Sequence, residues 1–323
     1  MAATKVKQQQ LDSIILNDSI YRQGIINGGC LVGQRPTANL STSKVYGMVD
    51  MIYGIAEGTV TAGTIAQITN SVIGVSGYAI KLAGVTLTGS GKAKIGFRME
   101  AKNAVKFKNK TASFSCLVLH DVGSTKNYTI YVNKANASDN FSAVTAIENS
   151  GAIAVETATG TLIKFEDISL GDCSNGIEII IECDCGAITT KNFEFTELQF
   201  NEGSEVLPFM SRGHEKELED CYRSCQPIAV CNMRMIYYSA NVLNFAYVLP
   251  KPMRATPVLA GSQVESTDFR VFNTALTQTT GFTLALGQAN TRATEINATK
   301  TSHGLTDGFL NMQTANSLLI SDL

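Results

Sequence analysis

The sequence has no tryptophan, only 6 prolines and 3 histidines, and a charged fraction of 17% across 323 residues. Lys and Arg number 26 against 28 Asp and Glu, a formal net charge of -2. A protein that tracks phosphates carries a basic excess, so the balance argues against nucleic-acid binding. No stretch approaches the ~18 consecutive apolar residues of a membrane span. The first ten residues, MAATKVKQQQ, lack the basic-then-apolar pattern of a signal peptide. The expectation is a soluble chain made in a cytosol, with no membrane insertion. Low charge and few helix formers also argue against a helical bundle or coiled-coil rod.

What is present points to strands. Apolar residues make up 44%, enough for real cores, and the chain holds 27 Gly, 32 Thr and 22 Asn. Strand and turn formers therefore dominate, as in an all-β chain. Domains run to ~100–200 residues, so two are expected. Eight cysteines stand at Cys30, Cys116, Cys173, Cys183, Cys185, Cys221, Cys225 and Cys231. Without a secretion signal, disulfides are not the default. Cys183-Asp184-Cys185 and Cys221-x3-Cys225 are not the Cys-x2-Cys pair of structural zinc, and no His follows at ligand spacing. The expectation is buried thiols, no metal and no cofactor.

Three regions follow along the chain. Residues 1–24 form a leader, with Val6, Leu11, Ile14, Ile15 and Ile20 irregularly spaced, suited to self-pairing or to docking as an arm. Residues 25–210 alternate with period two in Tyr78–Leu82, Lys94–Met99, Tyr128–Val132, Ile177–Cys183 and Phe193–Phe200. In the last, strict alternation puts Phe193, Phe195, Glu197 and Gln199 on one face. Turn clusters such as Gly89-Ser90-Gly91 separate the strands. This is the pattern of a jelly roll or β-sandwich. Residues 211–323 open with a predicted helix over 212–223, where Leu218, Cys221, Tyr222 and Cys225 share a face and Pro227 stops it. A smaller β domain follows, with strands expected at 235–239, 242–249, 257–260, 269–273 and 282–286.

Three segments then point to a family. Residues 198–209 read Leu-Gln-Phe-Asn-Glu-Gly-Ser-Glu-Val-Leu-Pro-Phe, followed after a gap by Leu218-Glu219-Asp220-Cys221-Tyr222-Arg223. Ile26-Asn27-Gly28-Gly29 leads to Gln34-Arg35, and Pro250-Lys251-Pro252-Met253-Arg254 leads to Pro257. In order and spacing this set resembles phage tail fibres and related receptor-binding fibre proteins. Ser224 and Cys225 stand where that family has two aromatics. The resemblance implies a homotrimer with a central jelly roll shaped like a carbohydrate-binding module and a C-terminal β knob. It implies a virion tail component assembled in the host cytoplasm, joined through its N-terminal arm to a tail or baseplate protein. It further implies attachment to a host surface receptor, a glycan, without catalysis. A bacteriocin's or bacterial predator's fibre fits the same motifs.

Enzyme signatures are missing. The adjacent acids Glu166-Asp167, Glu219-Asp220 and Glu182/Asp184 are not placed by sequence at the set separation that glycoside cleavage requires. No Gly-x-Ser-x-Gly, phosphate-binding loop or His-Glu-x-x-His occurs. The reading is no enzyme and no catalytic residues, with a short polysaccharide depolymerase or a purely structural tail adaptor or baseplate protein as the alternatives. Sugar recognition needs a flat apolar face plus fixed polar groups. Without Trp, that face must come from Tyr or Phe. Loops on a rigid β scaffold commonly carry such sites, and Asp268, Arg270, Arg292 and His303 lie in or beside polar loops of the last domain. They are the receptor-binding candidates. A ring of His303, one per protomer, is a conceivable cation site.

Overall fold

The computed structural model describes residues 23–228, 232–313 and 317–323. The arm expected over residues 1–24 lies outside the described residues apart from Gln23 and Gly24, and so does Cys231. The protein is all-β, with β-sandwich sheets of jelly-roll type. The chain divides into two compact units. Residues 23–33, 37–218 and 323 belong to the first, residues 34–36 and 219–322 to the second.

The first unit contains β1 (Ala38–Asn39), β2 (Val45–Tyr46), β3 (Ile52–Thr69), β4 (Tyr78–Glu100), β5 (Thr111–His120), β6 (Lys126–Ala137), β7 (Asn140–Asn149), β8 (Ile153–Val155), β9 (Thr161–Ser169), β10 (Gly176–Asp184) and β11 (Ile188–Glu202). A one-turn helix, α1 (Ala101–Ala104), follows β4. The long hairpin β3–β4 organises the rest. Along its other edge β4 pairs first with β11, through Ile80–Leu87, and then with β10, through Lys92–Glu100. The crossing falls at Gly89–Gly91, where a Cβ on Gly91 would meet the Gly186 carbonyl oxygen at 2.4 Å. One layer therefore runs β3-β4-β10-β6-β7 and the other β3-β4-β11-β5-β9. Their inner faces meet through Tyr128 on β6 and Phe195 on β11, ring centroids 6.2 Å apart. Ile130, Val132, Ile177, Ile179, Ile181, Phe97 and Phe193 fill the space between and are fully buried. Each such side chain stabilises the fold by roughly 1.5–3 kcal/mol.

The strand over Phe193–Phe200 departs from strict alternation. Its register with β5 shifts between Thr196 and Gln199, and Glu197 takes a left-handed φ of 54°. The extra residue is a bulge, which reverses which side chains face inward. Phe200 consequently joins Phe193 and Phe195 in the core, against Phe107 at 5.0 Å. The Glu197 carboxylate accepts the Val75 and Ser76 N–H groups, which ties the loop after β3 to the bulge.

The second unit holds β12 (Cys225–Pro227), β13 (Asn232–Ser239), β14 (Val242–Val248), β15 (Val258–Gly261), β16 (Phe269–Phe272), β17 (Gln278–Thr279), β18 (Thr283–Ala289), β19 (Ala293–Thr299), β20 (Asp307–Met312) and β21 (Ser317–Ile320). A seven-stranded sheet runs β17-β16-β20-β13-β14-β19-β18, and a three-stranded one β12-β21-β15. Met233, Met235, Leu243, Phe269, Val271, Ile296, Leu310 and Met312 form the core, with Leu259 and Leu319 of the smaller sheet packed among them.

The predicted helix is shorter than its pattern. α2 spans His214–Cys221, with Glu215 and Glu217 in the first turn, where acids suit the helix dipole. A turn closes it: the Ser224 N–H and hydroxyl both donate to the Cys221 carbonyl, at 2.9 and 3.2 Å. Cys225, expected on the helical face, instead begins β12, and Pro227 ends that strand rather than the helix. Pairing with β21 captures these residues before the helix can continue.

The seven described cysteines are buried. Burial pushes the Cys30 thiol up to about 12 and raises that of Cys116 as well, so both stay protonated. Among the described residues no group of three or more His, Cys, Asp or Glu side chains could hold a metal ion, and no helix is long and apolar enough to cross a membrane.

Candidate functional site

Two sheet faces carry dense polar groups, one in each unit. In the first unit, the outer face of the β3-β4-β10-β6 layer lines up Tyr53 and Glu57, then Lys92, Lys94 and Arg98, then Glu178 and Glu182, then Tyr131. Glu178 is 1% exposed. Its Oε1 accepts from Lys44 Nζ at 2.6 Å, Arg98 Nε at 2.7 Å and the Tyr53 hydroxyl at 2.9 Å. The Tyr53 ring lies flat over Gly96, where a Cβ would sit 2.2 Å from ring atoms. Lys44 and Arg98 approach that ring to 5.2 and 5.4 Å of its centroid. Four residues further along β10, Glu182 accepts from Lys94 at 2.5 Å and Lys92 at 2.8 Å, with the Tyr131 hydroxyl at 3.4 Å. Lys94 also reaches Glu57.

Burial opposes ionisation of Glu178 and Glu182, but the hydrogen bonds from Lys44 and Arg98, and from Lys92 and Lys94, outweigh it. Both carboxyls are held below the ordinary glutamate value. Chemically this face satisfies itself: each carboxylate already holds its cations.

The outer face of the seven-stranded sheet in the second unit differs. Ladder register places Gln278, Phe272, Phe309 and Arg234 side by side across β17, β16, β20 and β13. The neighbouring row is Arg270, Asn311 and Asn232. On the other side, Asp307, Ile236, Asn244 and Asn297 form a third row. Directly opposed residues of a ladder lie ~5 Å apart, so Phe272 and Phe309 stand side by side on this face, both half-buried. The polar groups around them are held in place. The Asn311 amide donates to the Asn232 side-chain oxygen at 2.6 Å, that of Asn244 to the Asn297 oxygen at 2.8 Å, and Arg234 pairs with Asp307 at 3.1 Å. Ile236 is 61% exposed and Arg234 71%. Alternation explains the arrangement: Val271, Leu310, Met233 and Met235 point into the core, so their neighbours must point out.

The sequence-predicted residues are dispersed. Arg270 belongs to the aromatic platform. Arg292 is exposed in the β18–β19 turn, and its β19 is four strands from β16 in the sheet order, so the ladder does not bring the two together. Asp268 is buried, and its carboxylate accepts the Ser262 hydroxyl and the Val264 N–H, holding its own loop. His303 is likewise buried. Its Nε2 lies 3.0 Å from the Ser239 carbonyl and its Nδ1 accepts the Leu305 N–H at 3.0 Å, between Tyr237 and Phe282. Both ring nitrogens are engaged, which leaves no lone pair for the cation ring considered from sequence. Phe272, Phe309, Arg234 and Asn311 were not singled out by sequence. For Phe309 and Asn311 the available signal is the period-two alternation of Asp307-Gly308-Phe309-Leu310-Asn311-Met312, whose alternate residues the structure buries.

A groove of about 640 Å³ lies between β15 and β18, lined by residues such as Pro257, Val258, Leu259, Leu284 and Leu286, with no titratable side chain. Three of the acids considered for catalysis are occupied: Glu166 caps the Val206 N–H at 3.0 Å, Glu182 is tied as above, and Glu219 pairs with Lys251.

No family model matches the chain, and no curated protein matches it. Among solved structures, the family 22 carbohydrate-binding and catalytic modules of Clostridium thermocellum endo-1,4-β-D-xylanase 10B, in complex with xylohexaose, align with 59% of this chain at 11% identity and a TM-score of 0.36. This chain covers 30% of that one. A carbohydrate-binding module of the β-sandwich superfamily aligns with 47% of this chain and 57% of its own, at 12% identity and a TM-score of 0.36. A family 61 module bound to β-1,4-galactotriose aligns with 56% and 99%, at 10% identity and a TM-score of 0.31. Similarity at this level leaves the functional reading to the chain's own residues.

Proposed function

We propose that the chain is a non-catalytic attachment protein of the tail-fibre type that binds a host cell-surface glycan through the outer face of its second unit's seven-stranded sheet. The observation that carries this reading is the Phe272–Phe309 strip bounded by fixed amides and an exposed ion pair. A pyranose has an apolar C–H face and a rim of hydroxyls. The strip suits the first, and Gln278, Asn232, Asn311, Asn244 and Asn297 suit the second. The motif set at residues 26–257 supports the fibre context: a homotrimer, located in the virion tail, with residues 1–24 engaging a tail or baseplate protein. Three weak sites on one particle component then act by avidity.

Glycan-array binding of the full chain, followed by calorimetric titration of the hits, tests the reading. Binding is expected, and Phe309→Ala is expected to weaken it roughly tenfold without loss of fold. Release of smaller oligosaccharides from host polysaccharide would move the protein to the depolymerase class. Absence of any glycan binding would favour a structural tail role. A solution mass near three times the 34.6 kDa chain is expected, and a clean monomer would overturn the fibre reading.

A further inference from the structure

The aromatic platform carries an uneven charge. Arg234 is neutralised by Asp307. Arg270, one row away and on the same face, is not neutralised. Its Nη2 donates to the Ser266 carbonyl at 3.4 Å, its Nε is buried without a partner, and among the described residues no carboxylate stands within ion-pair distance. The nearest polar neighbours across the ladder are the Asn311 and Asn232 amides, which add donors rather than acidic groups. A guanidinium presents five N–H donors in a planar fork that matches a carboxylate bidentately. Leaving such a group partly desolvated without its counter-charge is costly.

We propose that the ligand of this platform is a glycan bearing a carboxylate, as in a uronic or sialic acid, and that Arg270 is the residue that selects it. The carboxylate sits on the Arg270 fork beside the Asn311 and Asn232 amides, while the sugar rings lie along Phe272 and Phe309. The inference rests on the glycan-binding reading of the same face and adds the sugar class to it. The Arg234–Asp307 pair at the far end of the strip, already neutral, serves uncharged hydroxyls.

Calorimetric titration of the full chain against matched oligosaccharides tests it: a carboxylated one, its carboxyl-reduced form, and a sulfated neutral one. The carboxylated sugar is expected to bind about tenfold to a hundredfold more tightly than its reduced form, with affinity falling as salt rises. Arg270→Gln is expected to erase that difference while leaving the reduced sugar's weak binding intact. Arg270→Lys, which keeps the charge but loses the fork, is expected to retain only part of it. Arg292→Gln is expected to change nothing. Equal binding of native and reduced sugars, or sulfate bound as tightly as carboxylate, would overturn the assignment while leaving the glycan platform standing. No binding of any sugar, together with a silent Phe309→Ala, would remove the platform itself.

Discussion

The outer faces of the two large sheets obey the same alternation, yet they use their polar residues in opposite ways. In the first unit, Lys44, Lys92, Lys94 and Arg98 are matched against Glu57, Glu178 and Glu182 on the sheet surface. In the second, two phenyl rings lie half-exposed among amides, with one guanidinium paired and another not. The two faces therefore differ less in the number of their polar groups than in how far those groups satisfy one another. The first network fixes the register of β3, β4 and β10, since a slip of one residue would turn every partner to the other side. The second leaves apolar surface and hydrogen-bonding capacity facing outward.

The sharpest way to break this contrast is Glu178→Ala. It removes the shared acceptor of Lys44, Arg98 and Tyr53 and leaves cationic groups unpaired in a buried site. Loss of one partner of such a pair costs about 3–5 kcal/mol. Urea unfolding, with hydrogen exchange of β10 amides as the local probe, should register a loss of this order in the first unit, and sugar binding by the second should persist. A loss below about 1 kcal/mol would show that the network contributes no more than ordinary surface pairs.

Acid should act on the same network. The folded-state values of Glu178 and Glu182 lie below the ordinary value of 4.5. Their contribution to stability is thus fully present above pH 4.5 and is lost as pH falls through the lower folded values. Unfolding of the first unit should become progressively easier below that point, and Glu178→Gln should flatten the dependence. An unchanged acid profile in that variant would shift the effect to other carboxylates.

Much of the fold was legible because side chains report burial by period. The segments Ile177–Cys183 and Phe269–Asn273 alternate as their strands do, and the burial of Cys116 follows from its apolar strand. Three things escaped. The bulge at Glu197 inserts a residue that no periodic reading contains, and so moved Phe200 to the core. The helix lost Cys225 because long-range pairing with β21 prevailed over a favourable local pattern. The candidate residues scattered because loops attract attention as polar segments, whereas Asp268 and His303 use their polarity to hold the loops themselves. Phe309 sits on a strand whose significance appears only when register sets it beside Phe272.

That register is what the next substitution probes. Phe309→Ala should weaken glycan binding roughly tenfold, the equivalent of about 1.4 kcal/mol, since aromatic contacts contribute ~0.5–1.5 kcal/mol beyond their buried area. Its thermal midpoint should fall only slightly, because the ring is half-exposed. Tyr131→Phe on the opposite unit removes a hydroxyl contact to Glu182 and should leave binding unchanged. If both variants lost binding equally, the ligand would not be confined to the second unit's face.

The smallest effect is expected from Glu57→Gln. Glu57 is half-exposed, and Lys94, its main partner, keeps its bond to the buried Glu182. Exposed ion pairs typically contribute ~0.2–1 kcal/mol because solvent screens them and ordering two long side chains has an entropic cost. The variant should therefore unfold within that range of the parent and bind sugar identically. A drop comparable to that of Glu178→Ala would mean that the network acts as one cooperative unit. The distinction drawn between its buried centre and its wet edge would then fail, and the whole face would have to be treated as a single structural element.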